Sequence, residues 1–383
     1  MYLNRLHLRH FRNYREQEII FSAPKTILLG DNAQGKSNLL EAVELLSTLK
    51  SHRVSRDRDL VLAGETDSKI TAQLTRKHGS IDLALLLRDK GRRTATVNRE
   101  NLKRQLDFLG ILNAVEFSSL DLDLVRGNPE TRRHWIDALL FQIEPVYAHI
   151  LHEYQRVLKQ RNSLLKQAEH RTLDPAELES WNHQLILTGT KVIRRRVRII
   201  DRLAPIARTW HTKISKNTEE LTITYTPNVK AIENTPESIY QAFVDRLHLR
   251  RIAEQSLGNT LVGPHRDEIE LTINTTPAKA YGSQGQQRTL VLAIKLAELE
   301  LIEQIVGEPP LLLLDDVLAE LDLTRQNQLL SVIEDRFQTL ITTTHLGAFD
   351  AKWLDSSQIL QVRSGKIVPQ SIEELCQELG ISD

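Results

Sequence analysis

The chain carries the octapeptide Gly30-Asp31-Asn32-Ala33-Gln34-Gly35-Lys36-Ser37, which matches the G-x-x-x-x-G-K-S pattern of a phosphate-binding loop. The apolar run Thr26-Ile27-Leu28-Leu29 precedes it, and an amphipathic pattern over residues 38–46 follows it. A buried strand before the loop and a helix after it form the context that this motif requires. The sequence therefore predicts a P-loop in an α/β fold.

The residue types of the P-loop fit the chemistry of phosphate binding. Gly30 and Gly35 allow the backbone to curl, so that successive N–H groups point at phosphate oxygens beside the positive end of a helix dipole. Lys36 is expected to reach the β- and γ-phosphates, and the hydroxyl of Ser37 to ligate Mg²⁺. All eight residues of the loop are therefore predicted to bind ATP.

The composition is that of an ordinary globular protein, long enough at 383 residues for two compact units. Lys+Arg and Asp+Glu both number 50, so only a local cluster of cations could attract nucleic acid. The single cysteine, Cys376, cannot form an internal disulfide, and the N-terminus reads as a strand rather than a signal peptide. Without an apolar run of membrane-spanning length, the sequence predicts a cytoplasmic protein with no membrane partner.

Residues 1 to about 120 read as strands around the P-loop helix. Alternating apolar residues over 69–74 and 81–87, followed by 94–97, predict an antiparallel meander. Strand patterns return after residue 217. These two regions, 1–120 and 217–383, are predicted to form one discontinuous ATPase head with mixed sheets.

Residues 121–216 have a helical pattern instead. Two long helices, joined by a turn at 170–175, are expected to form an antiparallel arm domain inserted in the head. Pro145 lies inside the first helical pattern and predicts a kink or break there.

A second group of candidate site residues lies in the last third of the chain. The apolar run Leu311-Leu312-Leu313-Leu314 ends in two carboxylates, as expected of a buried parallel strand whose acids face the ligand crevice. Asp315 is predicted to bind Mg²⁺, and Asp316 to orient or deprotonate the attacking water. His345 follows the next predicted strand, where it could contact the γ-phosphate or the water.

A third group, Ser283-Gln284-Gly285-Gln286, opens an apolar helix. A Ser-x-Gly turn at a helix N-terminus is another anion site, and a monomer with one nucleotide needs only one such site. The second site predicts a head-to-tail homodimer, in which this signature turn caps the ATP on the partner's P-loop. Asp322 is the D-loop candidate, and a simple P-loop kinase would leave both features without a role.

These groups together place the chain among the ABC-type ATPases, in the branch shared with SMC proteins, and it closely resembles the RecF family of bacterial recombination-repair proteins. Both the Ser-Gln-Gly-Gln-Gln signature and the aspartate at 316, where most ABC ATPases have glutamate, are features of RecF-like chains. The shorter acid predicts slow hydrolysis, and residues 115–119 offer no glutamine for a Q-loop. The motifs that carry the resemblance are Phe11-Arg12-Asn13-Tyr14, the P-loop with Asn32 and Gln34, Ser51-His52-Arg53, Leu261-Val262-Gly263-Pro264-His265-Arg266-Asp267, Gly282-Ser283-Gln284-Gly285-Gln286-Gln287-Arg288 and Leu314-Asp315-Asp316-Val317-Leu318-Ala319-Glu320-Leu321-Asp322.

The resemblance implies a protein of recombinational DNA repair and replication, in which ATP and Mg²⁺ hold a dimer on duplex DNA at gaps. It implies work with RecO and RecR in loading RecA, and a link to the SOS response. Whether the chain acts as an enzyme stays open, because a weak DNA-dependent ATPase would serve as a switch. The alternatives are a structural chromosome-organising ATPase of SMC type and a transporter subunit. The helical insert at 121–216 is too short for the first, since SMC coiled coils run for hundreds of residues. The helical arm, the antiparallel N-terminal strands and the RecF-like motifs count against the second.

Five arginines are candidate DNA contacts, either on the second arm helix or just after the P-loop helix. Each set is equally typical of a solvated, salt-bridged surface and of cations that follow DNA phosphates. Arg12 and Asn13 are candidate nucleotide contacts, provided that the first strands flank the P-loop. The five arginines are Arg53, Arg56, Arg194, Arg195 and Arg198.

Overall fold

The computed structural model describes residues 1–167, 174–333, 336–347 and 349–369. The chain divides into two compact units: unit 1 is residues 1–121 with 298–383, and unit 2 is residues 122–297. None of the helices in the described ranges combines the length and the apolar character needed to cross a membrane.

The described residues form fifteen strands and ten α-helices. The strands are β1 (Tyr2–Phe11), β2 (Tyr14–Ile20), β3 (Lys25–Leu29), β4 (Asp67–Arg76), β5 (Gly79–Arg88), β6 (Thr94–Val97), β7 (Glu100–Asn101), β8 (Ala114–Phe117), β9 (Leu221–Thr226), β10 (Glu268–Ile273), β11 (Thr276–Pro277), β12 (Leu311–Asp315), β13 (Thr339–Thr343), β14 (Ser357–Arg363) and β15 (Lys366–Pro369). The helices are α1 (Lys36–Thr48), α2 (Asp123–Arg126), α3 (Pro129–Ile143), α4 (Val146–Gln167), α5 (Pro175–Ile214), α6 (Pro236–Leu257), α7 (Ala278–Tyr281), α8 (Gln284–Val306), α9 (Leu323–Ile333) and α10 (Ala351–Asp355).

Unit 1 is built on a six-stranded sheet of order β15-β14-β3-β13-β12-β8. The pairs β14–β3, β3–β13, β13–β12 and β12–β8 are all parallel, and β15 alone is antiparallel to its neighbour. Every residue of β3 and β13 is buried, because both faces of this sheet are covered. The carboxyl ends of β3, β13 and β12 therefore meet at one edge, which confirms the predicted α/β class.

A second sheet of unit 1 has the order β2-β1-β4-β5-β6-β7, and all of its pairs are antiparallel. It contains the predicted meander as β4, β5 and β6. Burial alternates along β4, as expected of a sheet with one face on the core and one in solvent.

Unit 2 contains the two long helices that the sequence predicts. Helix α3 ends at Ile143 and α4 begins at Val146, so Pro145 breaks the helix as expected. Helices α4 and α5 are antiparallel, since Arg161 of α4 contacts Asn182 while Arg195 of α5 contacts Glu144 beside the start of α4. Most of the predicted turn at 170–175 lies outside the described residues.

The division into units differs from the predicted domain boundaries for residues 217–297. Strand β9 packs against α5, from which it is separated only by a short reversal, and α6 packs against both α4 and α5. Strand β10 pairs with β9 in a three-stranded sheet. These contacts group residues 217–297 with the helices of unit 2, whereas their strand pattern in the sequence suggested the head.

A buried polar network holds the segment Leu261–Asp267 against the helices of unit 2. The guanidinium of Arg196 pairs with both carboxylate oxygens of Asp137, each at 2.9 Å, and donates to the carbonyl of Pro264 at 2.7 Å. The hydroxyl of Tyr154 lies 2.6 Å from Nδ1 of His265. Because buried polar groups are costly unless paired, this network fixes the position of the segment.

Acid is expected to destabilise unit 2 through His265. Burial, together with nearby arginines, lowers the pKa of His265 from 6.5 to about 4. The folded chain therefore holds the ring neutral, while the unfolded chain protonates it near pH 6.5, so stability present above that pH is lost as the pH falls toward 4. We expect His265→Gln to reduce the loss of unfolding free energy between pH 7.5 and 4.5 by about 2 kcal/mol in urea titrations.

The exposed His134 supplies the matched control His134→Gln. Equal acid losses in the wild type and in His265→Gln would contradict this role of His265.

Candidate nucleotide-binding site

The P-loop joins the end of β3 to the start of α1, and close backbone approaches explain its glycines. A Cβ on Gly30 would lie 2.4 Å from the carbonyl oxygen of Val362. Gly35 has a φ of 116°, and a Cβ there would lie 2.6 Å from the side-chain nitrogen of Asn13. Both positions therefore exclude any other residue, so the loop keeps a curved path in which its N–H groups can converge on an anion.

Contacts within the P-loop and from the turn between β14 and β15 hold the loop in place. Lys36 is buried and donates to the carbonyl oxygens of Gly30 at 2.7 Å and Asp31 at 3.0 Å. The turn between β14 and β15 holds Gln34, whose side-chain oxygen accepts from the N–H of Ser364 at 2.7 Å. The ammonium thus lies inside the loop, where a phosphate group could replace the carbonyls as its partner.

The two halves of the predicted magnesium site meet at the carboxyl edge of the sheet. Ser37 donates from Oγ to Oδ1 of Asp315 at 2.8 Å, across 278 positions of sequence. Thr342, at the end of the intervening strand β13, donates to the same oxygen at 2.7 Å. A carboxylate beside a hydroxyl is a donor set that suits Mg²⁺, so Ser37 and Asp315 could hold the ion.

Asp316 follows directly, in a left-handed conformation with a φ of 54°. Its N–H donates to Oγ1 of Thr342 at 2.9 Å. Burial raises the pKa of the Asp316 carboxyl, with Lys36 opposing the shift and Asp315 adding to it. A raised pKa suits a group that accepts a proton from water.

His345 lies two residues beyond β13, at the same edge as Asp315. Its side chain is exposed, and Nδ1 lies 3.3 Å from Oγ1 of the neighbouring Thr344. Asp322 precedes α9, where its carboxylate accepts from the N–H of Arg325 at 3.0 Å and caps the helix. The predicted nucleotide contacts of His345 and Asp322 remain predictions.

The signature turn of unit 2 begins α8. Oγ of Ser283 accepts from the N–H of Gln286 at 3.2 Å, and Oε1 of Gln286 accepts from the N–H of Ser283 at 2.8 Å. This reciprocal pair is a capping box. The turn is therefore a preformed helix N-terminus with an exposed serine, the geometry of an anion site.

Three consecutive residues, Ser51-His52-Arg53, attach to one face of α1. Ser51 donates to Glu41 at 2.5 Å, His52 lies 2.8 Å from Glu44, and Arg53 donates to Asn38 at 2.7 Å. The acceptors are three residues apart, which places them on one side of the helix. This spacing is a signal that sequence analysis missed.

Arg12 and Asn13 also brace the P-loop helix. Arg12 makes a bidentate pair with the fully buried Glu41, at 2.8 and 2.6 Å. Asn13 donates to the carbonyl of Gln34 at 2.9 Å and accepts from Asn38 at 2.9 Å. The structure thus gives Arg12, Asn13 and Arg53 structural partners, and their contacts with nucleotide or DNA remain predictions.

His52 lies between two carboxylates, Glu44 at 2.8 Å and Glu116 at 3.2 Å. Although burial lowers it, the carboxylates raise the pKa of His52 to about 10, so the ring is an imidazolium at neutral pH. These three side chains have the residue types of a metal site. Because Nδ1 of His52 lies between both carboxylates, we interpret the cluster as a hydrogen-bonded triad that ties α1 to the edge strand β8.

The arginines of α5 differ in their surroundings. Arg195 and Arg198 both pair with Glu144, at 2.8 and 2.5 Å, and Arg194 and Arg198 are exposed. All three line a cavity of about 320 Å³ together with Asp201, Arg202 and Asn234. Four guanidinium groups against the two carboxylates of Asp201 and Glu144 leave this cavity positively charged. Arg56 is exposed near the end of α1.

Comparison with known proteins defines the class first. The model of the RecF/RecN/SMC N terminal domain matches residues 2–366. The Smc head domain of Pyrococcus furiosus superposes with a TM-score of 0.55 at 18% identity, covering 99% of this chain and 98% of that one, which shows a shared head fold. The chain thus belongs to the RecF/RecN/SMC class and has the fold of an Smc head domain.

Closer relatives specify the family. The DNA replication and repair protein RecF of Gloeothece citriformis is 63% identical over 381 residues, which cover 96% of this chain and 99% of the relative. The RecF of Nostoc punctiforme is 65% identical over 373 residues, covering 96% and 100%. A solved structure described as the recombination mediator protein RecF-ATP in the RecFOR pathway has a TM-score of 0.90 at 31% identity, covering 97% of this chain and 98% of that chain. The chain belongs to the RecF family of DNA replication and repair proteins.

Replacing Arg12 is expected to destabilise unit 1, because it leaves the carboxylate of Glu41 buried without its bidentate partner. We expect Arg12→Ala to lower the free energy of unfolding by about 3 kcal/mol in urea titrations. Adding Glu41→Gln should recover part of this loss, since a neutral amide is less costly to bury. The exposed Arg15 gives the control Arg15→Ala. If Arg12→Ala is as stable as that control, Arg12 does not brace the helix.

Proposed function

We propose that this protein binds ATP and uses it to join two copies of the chain on duplex DNA during DNA repair and replication. The observation that carries the proposal is the contact between Ser37 and Asp315, at 2.8 Å. It brings a P-loop hydroxyl and the carboxylate at the end of β12 to one point at the sheet edge. Among known proteins, this combination belongs to nucleotide sites that use Mg²⁺.

Each residue of the site has a role in this proposal. Residues 30–37 surround the phosphates, with the ammonium of Lys36 between the β and γ groups. Ser37 and Asp315 hold Mg²⁺, which neutralises phosphate charge when bound. Asp316 orients the attacking water and accepts its proton, and His345 contacts the γ-phosphate from the end of β13.

The homodimer follows from the signature turn. We assign Ser283, Gln284, Gly285 and Gln286 to the γ-phosphate of the partner's nucleotide, with Asp322 at the same interface. A ligand that binds the dimer and not the monomer shifts the population toward the dimer by mass action. Hydrolysis removes that bias, so the slow rate of hydrolysis at Asp316 would set the lifetime of the dimer.

The partners come from the family. A relative is described as a recombination mediator in the RecFOR pathway. We extend this description to the present chain, and propose that it acts in the cytoplasm with RecO and RecR to load RecA at gapped DNA, with a link to the SOS response.

We propose that DNA contacts the positively charged cavity of α5. Four arginines line it with a single aspartate, although the chain as a whole has no net charge. Such a cluster can meet phosphates without reading bases, so binding would be weakly selective for sequence and strongly dependent on salt.

Replacing Asp316 with Asn is expected to trap the dimer. The amide keeps the volume of the side chain and loses the proton acceptor, so ATP should bind while hydrolysis slows by about a hundredfold or more. Sedimentation velocity should then find a long-lived dimer with ATP. A monomeric Asp316→Asn protein in saturating ATP would count against this role.

Replacing Arg194, Arg195 and Arg198 with Ala tests the DNA site. DNA affinity should fall alike for all sequences, and the slope of log affinity against log salt should become shallower by about one for each phosphate that is no longer neutralised. ATP-dependent dimerisation should be retained. The matched control replaces three other exposed cations of unit 2, Arg156, Lys159 and Arg250. An unchanged salt slope would move the DNA site to the head, around Arg53 and Arg56.

A further inference from the structure

Residues 215–220, the reversal between α5 and β9, contact the signature turn through Glu219. Oε1 of Glu219 accepts from Nε2 of Gln286 at 2.9 Å. The other carboxylate oxygen lies 3.7 Å from Nε2 of His211, in the last turn of α5. Glu219 therefore stands between the arm helix and the turn that we assign to the partner's nucleotide.

The carboxylate of Glu219 fixes the orientation of the Gln286 amide. The capping box needs the amide oxygen of Gln286 to face the N–H of Ser283. An ionised glutamate can only accept, so it holds the amide nitrogen on the opposite side. If the amide were flipped, its nitrogen would face the N–H donor of Ser283, and its oxygen would face the carboxylate oxygen of Glu219. The acceptor at position 219 thus keeps the signature turn in one arrangement.

His211 connects the same carboxylate to α5. The ring is fully buried, and neither of its nitrogens makes a hydrogen bond with any residue of the described ranges. Buried polar groups without partners are rare and costly. Nε2 lies 3.7 Å from the carboxylate of Glu219, beyond hydrogen-bond distance, so His211 places the last turn of α5 next to this carboxylate.

The reversal is held to the last turn of α5 by hydrogen bonds, so we expect the two segments to move together. Lys216 and Asn217 are consecutive left-handed residues, with φ of 55° and 62°. The N–H of Asn217 donates to the carbonyl of Thr212 at 2.9 Å, and the N–H of Ser215 donates to that of His211 at 2.8 Å. These bonds make the segment an extension of the helix end rather than a loose linker.

We propose that Glu219 is a positioning residue that couples α5 to the signature turn, and so sets Ser283 and Gln286 to receive the γ-phosphate of an ATP bound to a second copy of the chain. This inference rests on the proposed function, because it needs the signature turn to act on the partner's nucleotide. Helix α5 also carries the arginines of the charged cavity, about 14 to 26 Å along the helix from His211. DNA phosphates bound there would act on the dimer interface through Glu219.

The experiment measures ATP-dependent dimerisation of the full chain by sedimentation velocity, with and without duplex DNA. Glu219→Ala should weaken the dimer about tenfold, as expected for the loss of one hydrogen bond to a charged group. Glu219→Gln keeps an oxygen acceptor and should stay within about twofold of the wild type. The neighbouring Glu220, which is exposed and pairs with Arg208, gives the matched control Glu220→Ala. Binding of ATP to monomers should be unchanged in all three variants.

A double mutant separates positioning from other roles. Gln286→Ala should weaken the dimer at least as much as Glu219→Ala, because Gln286 also faces the partner's nucleotide. Adding Glu219→Ala to Gln286→Ala should cause no further loss, because Glu219 acts through Gln286. DNA should strengthen dimerisation of the wild type and not of Glu219→Ala. If Glu219→Ala itself fails to fold, the ATP-dependent dimerisation of Gln286→Ala is compared with that of Glu219→Gln. Weaker dimerisation of Gln286→Ala alone supports the inference, and equal dimerisation of the two variants contradicts it.

The outcomes distinguish the inference from the function beneath it. If Glu219→Ala dimerises like Glu220→Ala while the wild type responds to ATP, the coupling is wrong and the proposed function stands. If the losses of Glu219→Ala and Gln286→Ala add in full, Glu219 does not act through the signature turn. If the wild-type chain does not dimerise with ATP, the proposed function fails and this inference fails with it.

Discussion

The hydrogen bond from Ser37 to Asp315 depends on the strand order of unit 1, and the nucleotide chemistry depends on that bond. Strand β13 separates β3 from β12, so the P-loop and the carboxylate leave the sheet on either side of Thr342, which contacts Asp315 as well. All three strands are parallel, so their ends coincide. A single antiparallel neighbour in this position would place the carboxylate at the opposite edge. Lys36 and Asp316 can act on one nucleotide only because the parallel strands bring both residues to the same edge of the sheet.

Short-range patterns predicted much of this arrangement. The octapeptide 30–37 predicts the strand before it and the helix after it, the leucine run before Asp315 is typical of a buried strand, and Pro145 predicts the break between α3 and α4. The Ser-x-Gly turn at Ser283 predicted the start of α8. In each case the cause lies within a few residues of its effect, so the sequence alone was sufficient.

The remaining features depend on contacts between distant residues. Arg12 pairs with Glu41 because β1 and α1 belong to one unit, and nothing near Arg12 in the sequence indicates a buried glutamate 29 positions away. Arg195 and Arg198 meet Glu144 across the helix pair, which a count of charges along one helix cannot reveal. The grouping of β9 with the helices likewise follows from packing on α5. A sequence pattern identifies charged and polar residues, but which residues they pair with depends on the tertiary packing.

The central claim is that one nucleotide site is completed by two copies of the chain. The most direct test mixes Lys36→Arg protein with Ser283→Arg protein and measures ATP hydrolysis. Each protein alone should be inactive, because one lacks a compact ammonium in the P-loop and the other blocks the signature turn. Random pairing leaves one intact composite site in half of the dimers, so the mixture should recover roughly a quarter of wild-type activity. Activity no greater than the sum of the separate proteins would contradict the account.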